Sequence, residues 1–245
     1  MASTYQDINT SCDYYAIVFE SDSSRNQNYE KLKAKIPQLK KFSAINTIDY
    51  FSKYSKLAID ENLCSKEFVL SGEVNRFKGK LGCNLSHILC HLEFLKSDSE
   101  WLIVLEDDAG ASNFSEDKIK NILNIATNNN SDFIQLYTNP DFKKDQQKQK
   151  TIGCMYEMIE QWHTIAYAIS RNGINKIREE FPMDCNIDLF YSNKIKLLNS
   201  LCWINNIFLN LGEVPKRFPT IKNGKTIWGR HNSGSFNSLI WKNEK

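Results

Sequence analysis

The sequence predicts an α/β fold, a mostly parallel central sheet flanked by helices. Short apolar runs at residues 14–19, 101–105 and 165–169 have the length and composition of strands buried on both faces. Between them lie longer stretches with apolar residues at helical spacing, as at Leu85, Ile88, Leu89, Leu92 and Leu95. Strands alternating with helices imply crossover connections, and in such sheets ligands bind beyond the carboxyl ends of the strands.

The elements follow in order. Residues 14–19 form the first strand, 21–26 a polar loop and 29–36 a helix that ends before Pro37. A second strand is expected over 42–48, and a loosely helical stretch over 50–75. The stripe from Leu85 to Leu95 is a helix entered after Gly82 and closed near Ser97. The strand 101–105 follows, then a helix over 116–127 and a strand over 132–137, stopped by Asn139 and Pro140. Residues 142–150 are too polar to pack and read as a mobile surface loop. A strand at 165–169, a helix from Gly173 to a stop at Pro182, and a last strand over 201–209 complete the pattern. The tail after Pro215 reads as loop, and the chain reads as one domain with its core over about 13–210.

The chain has 245 residues, 41% of them hydrophobic, enough for one sizeable core. A net charge of +2 supplies no general attraction to nucleic acid or to a membrane surface. Residues 171–245 are more basic, with 12 Lys/Arg against 6 Asp/Glu. Seven cysteines, an odd number without a C-x-x-C pair, suggest reduced thiols in a cytoplasmic setting. The polar start lacks the apolar core of a signal peptide, and no apolar run is long enough to span a bilayer. N-x-S sequons at Asn9, Asn84, Asn113 and Asn129 therefore carry little weight.

The densest chemistry is Glu106-Asp107-Asp108, directly after the apolar run 101–105. Three adjacent anions at the end of a buried strand are costly unless a cation answers them. If strand geometry persists, Glu106 and Asp108 point to one side and Asp107 to the other, so that one pair could hold a hard cation such as Mg²⁺ or Mn²⁺. The alternative is a solvated strand end or the start of a helix. Cys83, His87 and His91 share one side of a helix, but over two turns they span about 12 Å, too far for one zinc ion. Lys80, in Gly79-Lys80-Leu81-Gly82, precedes that helix, whose N-terminus offers N–H groups to an anion without being a P-loop. Asp184 and Asp188 flank Asn186 after a helix break and are either candidate bases or turn residues. Trp162-His163 could stack on a sugar or base or fill the core or an interface, and His231 in the basic tail is either a late ligand or phosphate contact or a solvated residue.

The order Gly82-Cys83-Asn84-Leu85-Ser86-His87, one helix, then Trp101–Asp108 and Ala109 closely resembles glycosyltransferase family 25, the lipooligosaccharide and collagen galactosyltransferase group. Residues 44–49 and 166–173 resemble two further segments of that family, and the likeness runs from about Tyr14 to Tyr191. The resemblance implies a GT-A fold, a UDP-sugar donor carrying galactose or glucose, and inverting transfer to a hydroxyl of a glycan, lipid-linked glycan or protein. It implies Mn²⁺ or Mg²⁺ on Glu106 and Asp108, with Asp107 on a ribose or a nearby cation, and a catalytic base at Asp188 or, second, Asp184. Ser86 and His87 would order the site behind the metal strand or touch the donor, and Arg25 and Lys80 fall on the donor side. The loop 20–25 is less Arg-rich than in the family, and the tail after Pro215 matches no motif. The rival readings are a non-catalytic sugar-nucleotide-binding relative and a nucleotidyltransferase-like α/β enzyme, which would also use strand-end carboxylates and a metal.

Overall fold

The structure is a computed structural model that describes residues 10–71, 78–111, 113–159, 163–211, 216–222 and 225–231. In chain order the elements are β1 (Cys12–Val18), α1 (Ser23–Lys35), β2 (Lys40–Ser43), α2 (Phe51–Asp60), α3 (Lys66–Ser71), α4 (Lys78–Phe94), β3 (Trp101–Glu106) and β4 (Ala109–Gly110). They continue with α5 (Glu116–Asn128), β5 (Phe133–Gln135), α6 (Lys143–Gln146), β6 (Thr151–Ile152), β7 (Met155–Glu157), β8 (Ala166–Ser170), α7 (Arg171–Arg178) and α8 (Ile187–Asn193). The last four are β9 (Leu201–Cys202), β10 (Leu209–Asn210), β11 (Lys216–Lys222) and β12 (Lys225–His231).

The fold is α/β, as expected. Eight strands form one sheet in the order β2-β1-β3-β8-β5-β9-β7-β6. β2, β1 and β3 are parallel neighbours, as are β5 and β9; β8 runs antiparallel to both β3 and β5, and β7 antiparallel to β9 and β6. The sheet is thus mixed, with β8 and β7 opposed to the other six strands. Alternate strand residues feed two cores. Tyr14, Ala16, Ile103 and Leu105 pack with Leu32 of α1 and Ile119 and Ile122 of α5. Tyr15, Ile17, Leu102 and Val104 pack with Leu85 and Ile88 of α4, Ile174 of α7 and Ile187 of α8.

Several boundaries differ from the sequence reading. α1 starts inside the expected 21–26 loop because the Asp22 carboxylate caps it, accepting from the N–H groups of Ser24 and Arg25. β2 ends at Ser43, and residues 44–48 leave the sheet as a loop instead of extending the strand. α4 begins at Lys78, so Gly82 sits inside the helix, and Lys80 is a helical residue too. Residues 142–150 carry α6, and Gln146, fully buried, donates to the Glu157 carbonyl and accepts from the Ile159 N–H. That anchor overrides the polar composition of the segment. The expected strand over 201–209 is only β9, and β10 pairs with β4 in a separate ribbon. In the tail, β11 and β12 form an antiparallel hairpin where loop was expected. Residues 72–75 of the loosely helical stretch, Asn9 and Trp162 lie outside the described residues. Among the described residues no helix is long and apolar enough to cross a membrane.

Gly82 shows how closely α4 approaches the 44–48 loop. A Cβ there would lie 2.6 Å from Thr47 Oγ1 and 2.7 Å from the Ile45 carbonyl oxygen. Alanine is favoured over glycine in a helix by about 1 kcal/mol, but forcing an extra carbon into a packed contact costs about 1–3 kcal/mol. The backbone carbonyl cannot rotate away, so the clash wins. Gly82→Ala is expected to lower the melting temperature by a few degrees, which thermal denaturation checks; an unchanged or raised midpoint would contradict the close approach.

Candidate active site

The alternation of β3 decides where the acidic triplet points. Leu102 and Val104 face α4, whereas Ile103 and Leu105 face α1 and α5. Continuing that period, Glu106 turns to α4 and Asp107 to α1. The Asp107 carboxylate pairs with the Arg25 guanidinium, and its second oxygen accepts from the Phe19 N–H at 2.8 Å. The Asn28 amide on the same helix donates to the carbonyls of Asp107 (2.9 Å) and Ala109 (2.8 Å), which holds the turn after β3. Burial pushes the Asp107 carboxyl up to about 6, against the pull of Arg25 and the Phe19 N–H.

Glu106 Oε1 accepts from the Thr164 hydroxyl and lies 3.4 Å from His87 Nε2. Burial opposes its ionisation, yet the His87 ring, the Thr164 hydroxyl and the nearby His163 hold its carboxyl below the ordinary range. Thr164 Oγ1 also lies 2.9 Å from Asp188 Oδ1. A hydroxyl carries one hydrogen, so it can donate to only one of the two carboxylates at a time. Burial and then the charge of Glu106 push the Asp188 carboxyl up. Asp108 is the unanswered member. Its Oδ1 is buried with no hydrogen-bond partner. Burial, followed by the charges of Glu106 and Asp107, pushes its carboxyl up to about 8.

α4 supplies the opposite wall with a row of buried polar side chains. Ser86 Oγ donates to the Gly82 carbonyl (2.6 Å) and accepts from the Ile45 N–H (2.8 Å), clipping the 44–48 loop to the helix. Asn84 is fully buried; its amide donates to the Cys185 carbonyl and accepts from the Ile187 N–H, each at 2.8 Å, which seats the start of α8 and so Asp188. With both amide atoms engaged in the interior, Asn84 offers nothing to a glycan. His87 Nδ1 meets the Tyr167 hydroxyl at 2.8 Å, leaving Nε2 toward Glu106. His91 Nε2 faces the hydroxyls of Tyr167 (2.9 Å) and Tyr191 (3.2 Å), and burial pushes its ring down to about 3, so it stays neutral.

These elements line an open cleft. Ile17, Phe19 and Arg25 form one side, Ala44 to Ile48 the rim, Gly79, Gly82, Cys83, Ser86 and His87 the α4 wall, and Glu106, Asp107 and Asp108 the floor. Of the residues singled out from the sequence, Arg25, Ser86, His87, Glu106, Asp107 and Asp108 line it. Asp188 joins through Thr164. Asp184 is exposed on the turn before α8, and Lys80 is not among the lining residues. His163 contacts Asn139 and the Tyr137 ring. Thr164, Asn84 and Asn28 were not anticipated. The one available signal was the place of Asn84 inside the Gly82–His87 string.

Chemically, Arg25 answers one carboxylate and two remain on the floor with a third behind Thr164. The donor set is hard oxygen, and Asp108 Oδ1 is an acceptor without a donor, so the site fits a divalent cation. Without one, the Asp108 carboxyl is raised in the folded state, so its contribution is complete below its unfolded value of 3.8 and is lost as pH rises through about 8. Chelator-treated Asp108→Asn protein is therefore expected to melt above the wild type at pH 8, with the gap narrowing toward pH 5. Melting curves across that range check this, and a pH-independent gap would contradict it.

Among solved structures, the chain is similar to A197 from STIV, at 12% identity and a TM-score of 0.49 over 94% of this chain and 100% of that one. It is also similar to the apo form of mouse xyloside xylosyltransferase 1, at 8% identity and a TM-score of 0.34 over 76% of this chain and 82% of that one. Neither likeness is close enough to carry an argument. No curated protein matches the chain. The family model for glycosyltransferase family 25 (LPS biosynthesis protein) matches residues 15–190, from β1 into α8 and through the whole acidic cluster. The chain belongs to glycosyltransferase family 25.

Proposed function

We propose that the protein is a metal-dependent inverting glycosyltransferase that moves a hexose from a UDP-sugar to a hydroxyl of a glycan, lipid-linked glycan or protein acceptor. The observation that carries this reading is Asp108 Oδ1, buried and without a donor beside Glu106 on the floor of the cleft. Glu106 and Asp108 would hold Mn²⁺ or Mg²⁺, which when bound supplies positive charge to the donor diphosphate and to the leaving group. The choice of UDP, and of galactose or glucose, rests on the family resemblance.

The chain's own residues divide the remaining work. The rim of the cleft, Ala44 to Ile48, offers apolar side chains and backbone groups to a nucleotide. Arg25, held in place by Asp107, keeps a permanent positive charge at the cleft wall for a phosphate. Ser86 and His87 act by positioning, one fixing the rim and the other Glu106. Asp188 is the base. It takes the proton of the acceptor hydroxyl as that oxygen attacks the anomeric carbon, while the bond from that carbon to the diphosphate breaks on the opposite side. Asp188 is preferred to Asp184 because it shares Thr164 with Glu106, whereas Asp184 stands exposed on the preceding turn.

Thermal-shift measurements across UDP-sugars and nucleoside triphosphates, each with Mn²⁺, test the reading. A UDP-hexose is expected to raise the melting temperature, and its hydrolysis or transfer to be suppressed by EDTA and abolished in Asp108→Ala. Stabilisation by a nucleoside triphosphate and by no UDP-sugar would favour a nucleotidyltransferase, and full turnover in EDTA would remove the metal. Asp188→Asn is expected to lower kcat by about 10²–10⁴-fold, the usual worth of a general base, with donor binding retained. A variant with unchanged kcat would remove Asp188 from that role.

A further inference from the structure

The thiol of Cys83 has no place in the chemistry above, although it lines the same cleft. Cys83 and His87 are one helical turn apart on α4, and Glu106 projects from β3 toward them. A ligand atom from each of the three lies within 4.8 Å of the other two. Along the helix alone, Cys83, His87 and His91 are too spread for one ion, and His91 is in any case committed to the hydroxyls of Tyr167 and Tyr191. The tertiary fold replaces His91 with Glu106.

The surroundings of His87 fit a ligand's role. Metal-bound histidines use one ring nitrogen on the ion and the other on a hydrogen-bonding partner that fixes the ring. Here Nδ1 is fixed by the Tyr167 hydroxyl, fully buried in the core, and Nε2 is directed at Glu106. One sulfur, one imidazole nitrogen and one carboxylate oxygen form a donor set suited to zinc and poorly suited to magnesium. Three protein ligands leave a fourth position open toward the cleft.

We propose that Cys83, His87 and Glu106 form a binding site for a thiophilic divalent cation of the zinc class. On binding, the Cys83 thiol gives up its proton to solvent and sulfur bonds the ion; no oxidation state changes. The site is distinct from the oxygen pair Glu106 and Asp108, but Glu106 belongs to both, so the two occupancies are coupled through its carboxylate.

The test uses the full chain and needs neither donor nor turnover, so its outcome is independent of the proposed glycosyl transfer. Zinc affinity is measured by competition with a chromophoric chelator, and Co²⁺ is added as a spectroscopic stand-in. The wild type is expected to bind one tightly held zinc per chain and to give a thiolate-to-cobalt charge-transfer absorption. Cys83→Ser is expected to lose that absorption and to weaken zinc binding by roughly tenfold or more. Asp108→Asn is expected to retain both. Mass-spectrometric mapping of maleimide labelling on the wild type, with and without zinc, gives a second readout that no folding defect can confuse: zinc should protect Cys83. Absence of the cobalt absorption, no protection of Cys83, or zinc binding lost in Asp108→Asn but kept in Cys83→Ser would overturn the site.

Discussion

Carboxylate charge at the end of a buried strand has to be answered by neighbours, and here those neighbours come from separate parts of the chain. Arg25 of α1 answers Asp107, His87 of α4 stands beside Glu106, and Thr164 ahead of β8 donates to Glu106. Each partner ties a different element to the end of β3. Asp108, whose buried Oδ1 has no donor, is the remainder of this balance. An unsatisfied buried acceptor costs about 1–3 kcal/mol, which a fold tolerates at a site that a ligand completes.

α4 carries most of the positioning. Its buried polar residues would be a liability in an apolar core, but each has a partner on a different structural element: the 44–48 loop for Ser86, the start of α8 for Asn84, β3 and β8 for His87, and β8 with α8 for His91. A fully satisfied buried network of this kind fixes distances better than apolar packing does. Gly82 adds the close approach that lets the helix reach the loop at all. The Gly82–His87 string is therefore a set of attachments between α4 and its neighbours, with Cys83 the member that lines the cleft without making one.

The direction of β8 matters as much as its composition. Because β8 runs antiparallel to β3, the residue just before its first strand position arrives at the end where β3 finishes, and the Glu106 N–H bonds the Ile165 carbonyl at 2.9 Å. In an all-parallel sheet Thr164 would lie at the opposite edge, away from every carboxylate of the triplet. The reversed strand thus joins Glu106 to Asp188, 82 positions apart in the chain, through one hydroxyl.

The sequence by itself determined the α/β class, the burial of β1, β3 and β8, the strand-end position of Glu106-Asp107-Asp108 and the family. These are local facts: apolar runs, helical spacing and adjacent charges are written in consecutive residues. Only the tertiary structure decided which carboxylate meets which partner, that Asp188 and not Asp184 joins the cluster, that Ser86 and Asn84 serve as clips, and that Glu106 takes the place beside Cys83 and His87 that His91 holds in the linear spacing. Strand direction and helix start decided these points. Both depend on contacts between distant segments, such as the close contact of Gly82 with Ile45 and Thr47. Spacing along a chain measures distance within one element, whereas a site built from three elements is set by how they pack.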